Sequence, residues 1–160
     1  MQLETKQEEE KPKEENESNE ENDNDYEILP HDYMKYDFNY KVIIIGDSGV
    51  GKTCLMNRAT KGIFLDKVES TIGFDYNPFI LKYQDKILKL EIWDTCGQEV
   101  YRSLIDGFFI NSSLAIIVYG INDAKTFNSV EQWIRQCKLK CSQETKFVLI
   151  GNKADLEKEK

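Results

Sequence analysis

The sequence predicts an α/β fold built on a doubly wound, mostly parallel sheet with one antiparallel edge strand. Three observations predict it. Apolar runs of strand length recur from about residue 38 onward, helix-length segments separate them, and the runs Lys41–Gly46, Ser113–Gly120 and Lys146–Gly151 are apolar on both faces. A strand with two apolar faces belongs inside a parallel sheet that helices cover on both sides.

Residues 1–27 carry twelve carboxylates against three lysines, a net of −9, within a chain whose total is −8. With almost no aliphatic or aromatic side chain to offset the entropy of ordering, residues 1–37 read as an acidic disordered N-terminal extension and 38–160 as the folded domain. A solvated spacer is the plain reading of such a tail; a lure for a basic partner is the sharper one. No run approaches the roughly 20 apolar residues of a bilayer span. The N-terminus lacks a signal-peptide core, and Gln2 stands where N-myristoylation requires glycine. Four cysteines in no C-x-x-C pairing suit a reducing compartment. The expectation is a cytoplasmic protein with no transmembrane segment and no nucleic-acid partner.

The first strand, 41–46, leads into "GDSGVGKT" and then the helical "TCLMNRATKG", closed by Gly62. The stretch 74–83 contains Pro78, which cannot donate to a ladder, so it reads as an edge strand. A tight Gln84–Asp85 connection joins it to 87–94, where Leu88, Leu90 and Ile92 alternate with Lys89 and Glu91. Residues 123–141 read as one helix with Phe127, Val130, Ile134, Cys137 and Cys141 in an apolar stripe. The order is β-α-β-β-α-β-α-β.

"GDSGVGKT" matches G-x-x-x-x-G-K-[ST] between a buried strand and a helix. Gly46, Gly49 and Gly51 let the backbone curl into an anion nest at a helix N-terminus, spanning Asp47, Ser48, Gly49, Val50, Gly51, Lys52, Thr53 and Cys54. Lys52 brings a cation to the β- and γ-phosphates, and the Thr53 hydroxyl is a ligand for Mg²⁺. The loop alone fits ATP and GTP alike. "GNKAD" at 151–155 chooses guanine: the Asp155 carboxylate accepts from both N1–H and the 2-amino group, a donor pair adenine lacks, while Asn152 meets the base's other edge and the Lys153 stem covers its face.

In "WDTCGQE", Asp94 at a strand end holds Mg²⁺ through water, the Gly97 N–H reaches the γ-phosphate, and Gln98 orients the attacking water. In "STIGFDY", Thr71 reaches the metal only while a γ-phosphate holds its loop closed, so the two stretches form a sensor for the third phosphate.

The words "GDSGVGKT", "TIGFDY", "WDTCGQE", "YRSL" and "GNKAD" together resemble the small GTPases of the Ras superfamily, closest to the Rab family, over about residues 38–157. The steps of 19 residues from Lys52 to Thr71 and 42 to Asp94 are similar to those of the family. The resemblance implies a P-loop NTPase G domain that cycles between GDP and GTP with Mg²⁺, hydrolyses GTP slowly with Gln98, Lys52 and Thr71 as catalytic residues, and serves vesicle trafficking at the edge of endomembranes. It implies exchange factors, GTPase-activating proteins and effectors as partners, the last reading residues 64–76 and 95–110; Phe74, Trp93 and Tyr101 either form part of that surface or pack between these segments and the sheet. Phe64 matches the aromatic that rests on guanine.

Cys96 departs from the family's usual alanine, which would set an oxidisable thiol beside the γ-phosphate if it is accessible. Gly120 stands where an aspartate is common. The family pattern also continues past "NKADLEKEK" with a last strand and helices, so the resemblance implies an incomplete G domain, without a prenylation cysteine, that binds nucleotide weakly alone. A non-catalytic interaction protein is the alternative function.

Overall fold

β2 (Phe38–Ile45) is apolar on both faces from Val42 to Ile45 because both faces are covered there. Val42 and Ile44 pack with Met56, Ile92 and Val118 beneath helix α1 (Lys52–Lys61). Ile43 and Ile45 pack on the opposite face with Phe109, Ala115, Ile117, Val130, Trp133 and Cys137. Each large aliphatic side chain so buried stabilises the fold by roughly 1.5–3 kcal/mol. The computed structural model describes residues 26–64, 71, 73–97 and 107–159.

β1 (Tyr26–Leu29), β3 (Phe74–Tyr83), β4 (Lys86–Thr95), β5 (Leu114–Gly120) and β6 (Lys146–Asn152) complete one sheet in the order β1-β3-β4-β2-β5-β6. β2 pairs in parallel with β4 and β5, and β5 with β6, while β3 alone runs against this set. The α/β doubly wound architecture and its single antiparallel strand are as the sequence predicts. The chain leaves β2 toward β4 on one side and reaches β5 on the other, so the strand ends flanking β2 form the crevice where such sheets hold ligands.

Four expectations are corrected. Regular structure begins before residue 38: Tyr26–Leu29, inside the expected extension, pairs antiparallel with β3 from Tyr26 opposite Tyr83 to Leu29 opposite Ile80. Residues 1–25 lie outside the described residues. β3 is therefore an edge only over its first part, where Pro78 stands. β6 is not interior but the far edge, with Phe147, Val148 and Leu149 exposed. The predicted helix at 123–141 is two helices, α2 (Ala124–Asn128) and α3 (Val130–Lys140), meeting at Ser129. Asp123 caps α2, accepting from the Lys125 N–H through its carboxylate.

The predicted stripe holds from Val130 to Cys141, with Ile134 and Cys141 packed against the core, and fails only at Phe127. Val130 and Cys137 are buried as predicted, Trp133 joins them, and Phe127 stays exposed with its ring against the edge of Tyr119.

Candidate functional site

The loop between β2 and α1 is shaped by glycines where no side chain fits. Gly46 has φ +144° and its missing Cβ would overlap the Val118 carbonyl of β5. Gly51, at φ +93°, begins α1 without a side-chain cap, which leaves the first N–H groups of the helix turned toward the crevice. No acidic residue stands in the first turn to compete for them.

Lys52 is buried there, its ammonium donating to the Gly46 carbonyl at 2.9 Å and the Asp47 carbonyl at 2.8 Å. Burial lowers its pKa from the ordinary lysine value, against the opposing pull of Asp94, Cys96 and Asp47. A cation held this way is fixed in place before any ligand arrives, so it costs little ordering to use.

Three hydroxyl and carboxylate groups meet beside it. The Thr53 hydroxyl donates to Asp94 Oδ2 and lies 2.9 Å from the Thr71 hydroxyl. Asp94 is fully buried at the end of β4, and its Oδ1 has no hydrogen-bond partner among the described residues. Burial raises its pKa above the ordinary aspartate range; the Thr53 hydroxyl and the Lys52 charge hold it partly back. The Asp94 carboxylate with its orphaned oxygen, together with the Thr53 and Thr71 hydroxyls, is a hard, all-oxygen donor set, which fits Mg²⁺.

The segments around this point are tied to one another. The Cys96 N–H donates to the Gly73 carbonyl at 2.9 Å, joining the Thr71 segment to the end of β4. A Cβ on Gly97 would lie within 2.5 Å of the Asp47 carbonyl carbon and the Ser48 nitrogen, so the two backbones touch. The Asn152 amide donates to the Val50 carbonyl at 2.8 Å, and Gly51 leaves the room for it. "GNKAD" and "GDSGVGKT", 102 residues apart at that bond, are thus one structure.

Other predicted residues are placed as follows. Lys153 has φ +66° and Asp155 is exposed at the start of a 3₁₀ turn, Ala154–Glu159. Phe64 is exposed beyond the Gly62 cap. The Asp47 carboxylate is engaged elsewhere: it accepts from the Trp133 indole N–H at 2.8 Å, so it steadies the loop against α3. Cys96 is buried, which removes the expected accessible thiol. Gln98 and Tyr101 lie outside the described residues. Sequence reasoning missed Trp133 and the second role of Asn152, since both bonds join distant segments.

An aromatic cluster flanks the Thr71 segment. Phe74 and Tyr76 pack on Trp93 with ring centroids 5.4 and 5.0 Å apart, and Phe108 meets Phe74 at 4.6 Å. Lys41 stands 5.7 Å over the Trp93 ring.

Residues 41–160 match the Ras family model. The chain belongs to the Ras family. GTP-binding protein YPTM2 of Zea mays is 40% identical over 122 residues, 76% of this chain and 60% of that protein. Ras-related protein Rab-11B of Dictyostelium discoideum is 40% identical over 124 residues, covering 78% and 56% respectively. Ras-related protein RABD2c of Arabidopsis thaliana is 38% identical over 126 residues, covering 79% and 62%. The chain thus spans about 60% of the length of these curated relatives. Its Rab-type character agrees with them, and the GTPases of the Ras family bind guanine nucleotides and Mg²⁺ at such sites. No helix among the described residues is long and apolar enough to cross a membrane.

Proposed function

We propose that the chain is a GTP-binding and GTP-hydrolysing switch of the Rab type that works in vesicle trafficking at endomembrane surfaces. The observation that carries this reading is the meeting of buried Lys52 with Thr53, Thr71 and the orphaned Asp94 oxygen at the strand ends. No other polar cluster of the described residues has that combination of a fixed cation and an oxygen donor set.

In this reading the N–H groups from Asp47 to Cys54 cradle the phosphates, and Lys52 offsets the charge that develops on the β- and γ-phosphate oxygens. Thr53, Thr71 and Asp94 hold Mg²⁺, which when bound neutralises phosphate charge. Gln98 orients the attacking water and Gly97 donates its N–H to the γ-phosphate. Asp155 accepts from guanine, Lys153 covers the ring from one side and Phe64 from the other, and Asn152 holds the base motif against the phosphate loop. Loss of the γ-phosphate releases Thr71, and with it the aromatic surface of Phe74, Tyr76, Trp93 and Phe108 that effectors read. Exchange factors and GTPase-activating proteins act on the same two segments.

The test is direct. Residues 1–160 are purified, denatured, and any released nucleotide is identified by ion-pair chromatography. A gain in thermal stability with GTP and Mg²⁺, followed by turnover that Gln98→Leu abolishes, is the expected result, and any nucleotide released is GDP or GTP. A well-folded but empty protein that gains no thermal stability with GTP and Mg²⁺ would overturn it in favour of a non-catalytic interaction protein.

A further inference from the structure

A carboxylate stands inside the glycine-rich loop between β2 and α1. Asp47 follows Gly46 directly, and its main-chain carbonyl is 2.8 Å from the Lys52 ammonium. Two features nearby attract negative charge. Lys52 is a buried cation, and the first turn of α1 has no side-chain cap and no acidic residue of its own. A carboxylate free to turn would settle on the ammonium and the helix N–H groups, because both favour an anion. There it would take the place of a phosphate.

The carboxylate is turned the other way. Its Oδ1 accepts the Trp133 indole N–H at 2.8 Å. Trp133 is only 3% exposed and packs on α3 in one cluster with Ile43, Ile45, Phe109 and Cys137. A ring enclosed among close-packed neighbours does not follow its acceptor, so the donor is fixed in place. The result shows in the charges that Lys52 feels. Asp94 and Cys96 both act on the ammonium more strongly than Asp47 does, although Asp47 supplies one of its two carbonyl partners.

We propose that Trp133 is a positioning residue of the phosphate site: its indole N–H holds the Asp47 carboxylate out of the loop and so keeps Lys52 and the α1 N-terminus open to phosphate. This role rests on the loop's reading as a phosphate cradle and is independent of which base accompanies the phosphate. Loss of a merely structural bond would weaken the loop whatever charge stood at position 47. Here the harm comes from the released charge itself, which competes for the cation and the N–H groups that a phosphate needs. Removing that charge as well should undo the harm.

The probes are GDP and inorganic tripolyphosphate, each with Mg²⁺, titrated calorimetrically into the full chain, Trp133→Phe and Trp133→Phe/Asp47→Asn, all freed of bound nucleotide. Phenylalanine keeps an aromatic ring and removes the donor; asparagine keeps the size of the aspartate and removes the charge. Trp133→Phe should bind both probes at least tenfold more weakly than the unaltered chain, and the double variant should return to within threefold of it. Unchanged binding by Trp133→Phe would overturn the proposal. So would a loss that Asp47→Asn does not restore, since the bond would then be a structural brace. Tripolyphosphate binding that shows the loss and the rescue, without GDP binding, would uphold the role of Trp133 and overturn the guanine reading. No saturable binding of either probe by the unaltered chain would overturn both. If Trp133→Phe does not fold, benzothienylalanine takes its place at position 133, with the shape of the indole and sulfur where the N–H stood, and the same loss and rescue are required.

Discussion

The two ends of β2 are built to different tolerances. At its C-terminal end, Gly46 admits no Cβ because the Val118 carbonyl fills the space, and Gly97 touches the Asp47–Ser48 backbone. At its N-terminal end, Phe38 and Tyr40 stack at 6.2 Å on a surface that stays open. There a trough of about 630 Å³, lined in part by Tyr40, Val42, Leu90 and Leu114, lies beside them. One strand thus runs from a place where a single methyl group does not fit to one where a whole ring is loosely held. The difference teaches where the sequence is constrained by backbone contact and where only by apolarity.

The largest effect should come from adding that methyl group. Gly46→Ala would force a side chain into the left-handed half of φ space and against a backbone carbonyl, a cost of roughly 2–5 kcal/mol from strain and overpacking together. Chemical denaturation should show a loss of that size, enough to unfold a marginal domain. A loss below about 1 kcal/mol would erase the contrast between the two ends.

Asp94→Asn comes next and separates stability from binding. An acid whose folded pKa is raised favours folding most when protonated, so its ionisation above the ordinary 3.8 costs stability. Asparagine cannot ionise; the nucleotide-free variant should therefore melt higher than the parent at pH 7. Without the carboxylate, the stabilisation added by GTP with Mg²⁺ should fall at least tenfold in apparent affinity, about 1.4 kcal/mol. Thermal melts with and without ligand read both. A variant that melts lower when empty would show that the burial of Asp94 is already compensated.

Much of the tight end was legible in the sequence because its signals are local. Gly46, Gly49, Gly51, Lys52 and Thr53 stand within eight residues, and a strand-loop-helix pattern surrounds them. What escaped is non-local. The Trp133 bond to Asp47 joins residues 86 apart, and the Asn152 bond to Val50 joins residues 102 apart. The strand "YEIL" was hidden for a related reason: four residues at the end of an acidic stretch are too short a signal, and their pairing is with β3, more than fifty residues further on. The apolar run 146–151 misled in the opposite direction, since an apolar strand at an edge reads the same as one in the centre. Ser129 interrupts the helix at 123–141, where its hydroxyl also donates to the Lys125 carbonyl, the back-bonding by which serine bends helices.

At the loose end, Phe38→Thr should change stability by less than about 1 kcal/mol, since the ring is nearly half exposed and threonine keeps the strand preference. A larger loss in denaturant titration would mean that the Phe38–Tyr40 stack organises the trough.

That looseness belongs to one face of β2 only, and the smallest effect tests it. On the other face Cys137 is fully buried against the strand, and burial, with Cys141 beside it, pushes its thiol up to about 12. A folded pKa above the ordinary 9.0 means that the protonated thiol favours the fold fully below pH 9, and that this contribution is lost as pH rises toward 12. Cys137→Ala removes the titrating group. The melting temperature of the parent should therefore exceed that of the variant at pH 8, and the gap should narrow by pH 10.5. Native protein at pH 8 should also leave Cys137 unlabelled by iodoacetamide, read by peptide mass, because thiolate is both scarce and enclosed. A constant gap together with rapid labelling would mean that this face opens as readily as the trough behind it, and the two faces of β2 would then be equally loose.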